Sequence, residues 1–144
     1  MTAPDCVFCN IVAGTAAASF VHRDDLVAAF LDIRPVTPGH LLVVPNQHLV
    51  SIADVPADVV ARVFTVARDL AGALRQSGIR ADGVNLSLAD GEAAGQEVWH
   101  AHVHVIPRFE GDGFRITADA WRGPQPDRDT LDSLANRIRA RSQS

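Results

Sequence analysis

The stretch EVWHAHVHVIPR, residues 97–108, places His100, His102 and His104 on every second position and fills the alternate ones with Ala101, Val103 and Val105. A period of two aligns side chains only on an extended strand; on a helix the same three imidazoles would splay around the axis. The chain must therefore build a strand over 97–108 with histidines on one face. The apolar residues of the other face need a partner to cover them.

That partner is legible upstream. In ADVPADVVARVFTVARDLAGALRQSG, residues 53–78, Val59, Val63, Val66, Leu70 and Leu74 recur at three- and four-residue steps, with Pro56 near the start and Gly78 past the end. This predicts one long amphipathic helix. LVAAFLD (26–32) and HLLVVP (40–45) read as an antiparallel pair joined by the turn IRPVTPG, and GVNLSLAD (83–90) as another strand. DGEAAGQ is a glycine-containing loop leading into the histidine strand. TLDSLANRIRA (130–140) predicts a closing helix, EGDGFRITADAWRGPQPD (110–127) mostly loop. The expected class is α+β, an antiparallel sheet packed by one long helix.

The 144 residues suffice for one domain with a real core, taken as 1–144, its centre at about 6–110 and a C-terminal loop and helix at 111–144. No apolar stretch is long enough to cross a bilayer, and MTAPDCVFC lacks the basic-then-apolar layout of an export signal, so a cytoplasmic protein with no membrane partner is expected. Net charge is −4 and all thirteen basic residues are scattered Arg, which leaves no nucleic-acid footprint. The RIRARSQS tail suits a helix terminus that then frays. With no Lys in the chain, no ammonium can clamp phosphates. Cys6 and Cys9 form a Cys-x-x-Cys that points to metal or redox use before a structural disulfide.

Three imidazoles on one face can be metal ligands, or one can be a nucleophile and base, since neutral imidazole does both at pH 7. The strand alone does not choose. DGEAAGQEV would set backbone N–H groups beside the histidines, as phosphate oxygens require where Lys is absent, or it is a flexible turn. A cupin-like metal site using His102, His104 and Glu110 is a poor rival: the spacing is long and the helix is foreign to a small β-barrel.

With AGQEV before His100-Ala-His102-Val-His104-Val-Ile, the sequence resembles the histidine triad family of nucleotide hydrolases and transferases. CVFCNIVAG at the start, FLDIRPVTPGHLLVVPNQH at 30–48 and GVNLSLADGEAAGQEVWHAHVHVIPRF resemble further family segments in the same order, covering most of residues 6–110. The resemblance implies a five-stranded antiparallel sheet with the long helix, paired as a homodimer into ten continuous strands. It also implies cleavage of a purine nucleotide at its α-phosphorus: His102 attacks, and water releases the nucleotidyl-histidine. The substrates implied are adenine phosphoramidates, mixed anhydrides or dinucleoside polyphosphates.

The same resemblance assigns residues. His104 would contact the α-phosphate or ribose side, with backbone groups of Gly95, Gln96 and Val98 holding non-bridging oxygens and His40 supporting the triad from the neighbouring strand. Asp32 matches the carboxylate that grips the ribose hydroxyls, or caps the entry to the following turn. Val7, Phe8, Ile11, Phe30, Leu31 and Ile33 match the positions that sandwich the base. Cys6 and Cys9 resemble the zinc-bearing branch, in which they would join His48 and His100 in a closed, structural Cys2His2 zinc site; free or transiently oxidised thiols are the alternative. His22 has no match and reads as an exposed strand-end residue. Two departures stand out: Glu97 where some relatives carry Ser, and Ala89 where many carry Asn or Gln. Both bear on the leaving group, and they motivate a second functional reading, a nucleotide-binding interaction module with incidental hydrolysis.

Overall fold

The structure is a computed structural model that describes residues 3–115 and 123–142. Residues up to Gly113 form one compact unit, and Phe114–Ser144 group as a second.

In the first unit the chain runs α1 (Val7–Ala13), β1 (Phe20–Arg23), β2 (Val27–Leu31), β3 (Leu41–Pro45), α2 (Ala57–Gln76), β4 (Gly83–Ser87) and β5 (Val103–Arg108), with single 3-10 turns at Ile52–Asp54 and Glu92–Ala94. The five strands form one antiparallel sheet in the order β1-β2-β3-β5-β4.

Strands β2 and β3 are buried along nearly their whole length because both sheet faces are covered. On one face Val27, Ala29, Leu41, Val43, Val103 and Val105 meet Val59, Val63, Val66 and Leu74 of α2. On the other, Ala28, Phe30, Leu42 and Val44 meet Phe8, Cys9 and Ile11 of α1. Two-sided burial explains why these strands read as continuous apolar runs rather than alternating ones. Each Val, Leu or Phe so covered contributes about 1.5–3 kcal/mol.

Helix α2 has the expected register: Pro56 precedes its first residue, Ser77 donates back to the Leu74 carbonyl, and Gly78 takes a left-handed φ of 81°. Helix α1 and strand β1 were not read from the residues themselves. Cys6 caps α1, its sulfur accepting the Cys9 N–H, and Gly14 ends it after seven residues at φ 82°. So short a helix shows no clear periodicity. Strand β1 is four residues long with a bulge between Phe20 and His22.

His22 is not the simple exposed residue expected at a strand end. Its Nε2 lies 2.6 Å from Asp24 Oδ2, which also accepts from Arg62 Nε of α2 at 2.8 Å, while Asp24 Oδ1 accepts the N–H groups of Leu26 and Val27. One carboxylate thus closes the β1–β2 turn and ties the helix to the sheet rim.

The strand expected over 83–90 ends at Ser87, where Ser51 and the Ile52 amide instead bond Asp90. The one expected over 97–108 enters the ladder only at Val103. Before it, the Ala101 N–H turns to the Leu49 carbonyl at 2.6 Å and the His100 carbonyl is taken by the His102 ring, so these backbone groups are satisfied outside the sheet.

In the second unit α3 spans Arg128–Ser142, two residues longer at each end than the expected 130–140. Asp127 accepts the Thr130 N–H at its start, and Arg139 and Arg141 occupy the last turn, where positive charge suits the helix dipole. Of the loop expected over 110–127, residues 116–122 lie outside the described residues, as do the last two of the chain. No described helix is long and apolar enough to cross a membrane.

Candidate active site and thiol cluster

The histidines serve two adjoining sites. His100, fully buried, donates from Nε2 to the Pro45 carbonyl at 2.8 Å. That bond fixes its tautomer and leaves the Nδ1 lone pair facing Cys6 Sγ at 3.5 Å and Cys9 Sγ at 3.6 Å. His48 brings its own Nδ1 to 3.2 Å from Cys9 Sγ. The four donor atoms lie within 4.8 Å of one another. Two thiols and two imidazoles, one locked by an outer hydrogen bond with its lone pair turned inward, form a donor set that fits a tetrahedral soft-metal site. No disulfide links the cysteines. Burial pushes the Cys6 thiol up, against the pull of the Cys9 N–H, so a metal entering here would displace protons.

His102 and His104 turn to the α1 face. His102 donates from Nδ1 to the His100 carbonyl at 2.7 Å, which leaves Nε2 as a bare acceptor. The tautomer of His104 is set by a relay. The Val36 N–H donates to His40 Nδ1 at 3.0 Å, so His40 carries its hydrogen on Nε2 and gives it to His104 Nδ1 at 2.9 Å. His104 must then hold its own hydrogen on Nε2, as a donor. Asp32, His40 and His104 also sit close enough to be read as a metal-ligand group. The relay argues otherwise, because it places a proton on the His40 nitrogen a metal would need.

Burial lowers the pKa of His40, His100, His102 and His104; for His104, burial together with neighbouring His102 and His40 pushes it down to about 4. Neutral imidazoles at neutral pH follow.

His40, His102 and His104 open onto a cavity of about 380 Å³ whose walls also include Val7, Phe8, Ile11, Phe30, Leu31, Asp32, Ile33, Gly95, Glu97 and Val98. Phe8, Ile11 and Phe30 belong at the same time to the core beneath α1. Ile33, by contrast, is 91% exposed and has no part in any core. The Phe8 ring stands edge-on to Phe30 at 5.5 Å and to His102 at 5.1 Å. Asp32 shapes the turn, its Oδ1 accepting the Arg34 N–H at 2.8 Å, while Oδ2 lies 3.6 Å from His40 Nε2.

Gln96 does not line the cavity. It is buried, its carbonyl oxygen accepts the Gly91 N–H, and its amide donates to the Val50 and Val98 carbonyls, so it holds the loop in shape. Gly95 beside it takes φ 90°, a conformation glycine adopts without strain. The sequence reading missed Thr37, whose hydroxyl anchors the 33–39 loop to the Pro107 carbonyl at 2.6 Å, and Arg34, the one cation among the cavity's lining residues. Thr37 carries no sequence signal; the only one Arg34 offers is its place as a cation two residues from Asp32.

Comparison with known proteins bears on this arrangement. The HIT domain family matches residues 13–111. A crystal structure of a HIT family protein from Bacillus anthracis superposes with a TM-score of 0.88 at 36% identity, covering 99% of this chain and 100% of that one. A zinc-bound histidine triad family protein from Mycobacterium smegmatis gives 0.74 at 40% identity over 90% and 97%. Among curated proteins, Adenylylsulfatase HINT3 of Arabidopsis thaliana is 35% identical over 108 residues, which are 75% of this chain and 54% of that protein.

Proposed function

The chain belongs to the HIT domain family, and on that premise we propose that it is a nucleotide hydrolase which attacks the α-phosphorus of an adenine nucleotide through His102. The observation that carries this is the hydrogen bond from His102 Nδ1 to the His100 carbonyl, which leaves a neutral Nε2 lone pair on the wall of a nucleotide-sized cavity. An imidazole so held attacks without first losing a proton. The His102 Nε2 forms a bond to phosphorus and the leaving group departs with the bonding pair, protonated by water. The hydroxide left by that water then adds to phosphorus, and the pair of the P–N bond returns to Nε2.

The other residues take the roles their positions suit. The His104 Nε2–H donates to a phosphate oxygen, with the backbone of Gly95 and Val98 beside it. Asp32 receives the ribose hydroxyls, and Ile33, Leu31 and Val7 close on the base above Phe8, Ile11 and Phe30. His40 and Gln96 are positioning residues. Phosphoramidates, mixed anhydrides and dinucleoside polyphosphates are the substrate classes.

Zinc is the metal we assign to Cys6, Cys9, His48 and His100; bound there it would tie α1 to the segments carrying His48 and His100. Two thiols kept for metal suit the reducing cytoplasm. We assign a homodimer as the working form, pairing through a sheet edge, β1 or β4.

Incubation with adenosine 5′-phosphoramidate, an acyl adenylate and diadenosine polyphosphates tests the reaction. AMP release from at least one is expected, reduced in His102→Ala by about three decades or more, roughly 4 kcal/mol of barrier. No AMP from any of them, or full release by the variant, overturns the reading.

A further inference from the structure

Beside the nucleotide cavity lies a second hollow of about 390 Å³ that the reaction above leaves unused. The two share Val7, Glu97 and Val98 as walls. The second adds Asp5 and Trp99, and Trp99 keeps 50% of its surface exposed although it is a large aromatic side chain. Cys6 and His48 also line it, and a zinc ion with two thiolates would bring no net charge there. No lining residue is Arg, and the chain has no Lys. The single cation among the lining residues of either cavity, Arg34, lies two residues from Asp32, on the ribose side.

We propose that this hollow is a leaving-group subsite for a cationic amine, so that the preferred substrate is a nucleoside 5′-phosphoramidate whose amine side carries a further positive charge. The proposal rests on the nucleotide-hydrolase reading above. Glu97 borders both cavities, so a leaving group that extends from the first into the second passes Glu97. A polyphosphate would bring negative charge against Glu97 and Asp5 with no Arg among the described residues that line the hollow, and like charges repel. An ammonium meets two acidic side chains and an indole, a combination that suits alkylammonium groups.

The test uses adenosine 5′-phosphoramidates of matched chain length ending in an ammonium, a methyl or a carboxylate group, with diadenosine tetraphosphate and the parent compound whose leaving group is ammonia. Expected is a kcat/KM at least tenfold higher for the ammonium-ended compound than for the carboxylate-ended one, with diadenosine tetraphosphate below both phosphoramidates. The preference should shrink as salt rises. The double variant Asp5→Asn, Glu97→Gln should lose most of it, and Trp99→Ala should raise KM for the ammonium-ended compound more than for the parent. Equal rates across the wild-type series overturn the subsite with no variant needed, and so does a preference that survives in the double variant. If neither these compounds nor an acyl adenylate is cleaved, the hydrolase reading fails first and the subsite falls with it; cleavage of the parent without discrimination among the longer compounds, or no cleavage of any phosphoramidate while another adenine nucleotide is cleaved, removes the subsite alone.

Discussion

His100 offers its carbonyl oxygen to His102 Nδ1 at 2.7 Å while its own ring faces the two thiols. One residue therefore joins the metal-ligand cluster to the imidazole on the cavity wall. Removing the metal, by chelation or by Cys9→Ser, is expected to abolish a stoichiometry of about one zinc per chain. Loss of a structural zinc removes several kcal/mol of stability, which for a chain of this size lowers Tm by roughly 10 °C. Elemental analysis and a thermal melt read both. A Cys9→Ser protein that retains its metal and its Tm would contradict the ligand assignment.

His40 acts on the cavity through His104, to which it donates at 2.9 Å. In His40→Ala the His104 ring is free to take either tautomer and to turn. Loss of such an outer partner costs about 10–100-fold in activity, here in kcat, with AMP affinity nearly kept. Steady-state kinetics beside AMP titration separates the two; an equal loss in both would make His40 a binding group.

Gly39 precedes His40 with φ 96°, and a Cβ there would stand 3.0 Å from Ile79 Cγ2 and 3.1 Å from Leu74 Cδ2. Gly39→Ala must carry a strained backbone and push two core side chains. A loss of about 1–3 kcal/mol is expected, measured by urea unfolding. A variant as stable as the parent would show that the loop relaxes freely.

Stability should fall on acidification in two stages. A buried histidine with a lowered pKa stays neutral in the folded chain while the unfolded chain takes up its proton. For His104 that window runs from the ordinary 6.5 down to about 4, and His40, His100 and His102 act in the same direction. Below it Asp24 takes over. Burial works against its charge, but hydrogen bonds from His22, the Leu26 and Val27 amides and Arg62 outweigh that and hold its carboxyl well below the usual 3.8. Its stabilisation is present above that pH and is lost as pH falls further. Asp24→Asn should flatten the more acidic stage only, in denaturant titrations from pH 7 to 2.

The period-two histidines and the three- and four-residue steps of Val59, Val63, Val66, Leu70 and Leu74 were legible because each pattern suits one element and no other. Helix α1 was not: seven residues that pack Phe8, Cys9 and Ile11 downward have too few turns to show a stripe. The early end of the β5 ladder was hidden for another reason. Whether Ala101 bonds a neighbouring strand or the Leu49 carbonyl depends on chain fifty residues away. The same applies to Gln96, whose side chain turns from the cavity to bind the Gly91, Val50 and Val98 backbone. Residue type foretold that a group would be polar and important; only the fold decides what it touches.

The relay from the Val36 amide through His40 to His104 means that a main-chain group outside the pocket chooses between hydrogen and lone pair on its wall. Substitutions in the 33–39 connection that rotate one peptide plane would exchange donor for acceptor under the bound molecule. Chemistry in this protein can thus be retuned by residues that never meet what it binds, and loop grafts between relatives should transfer reactivity even when every pocket side chain is held constant.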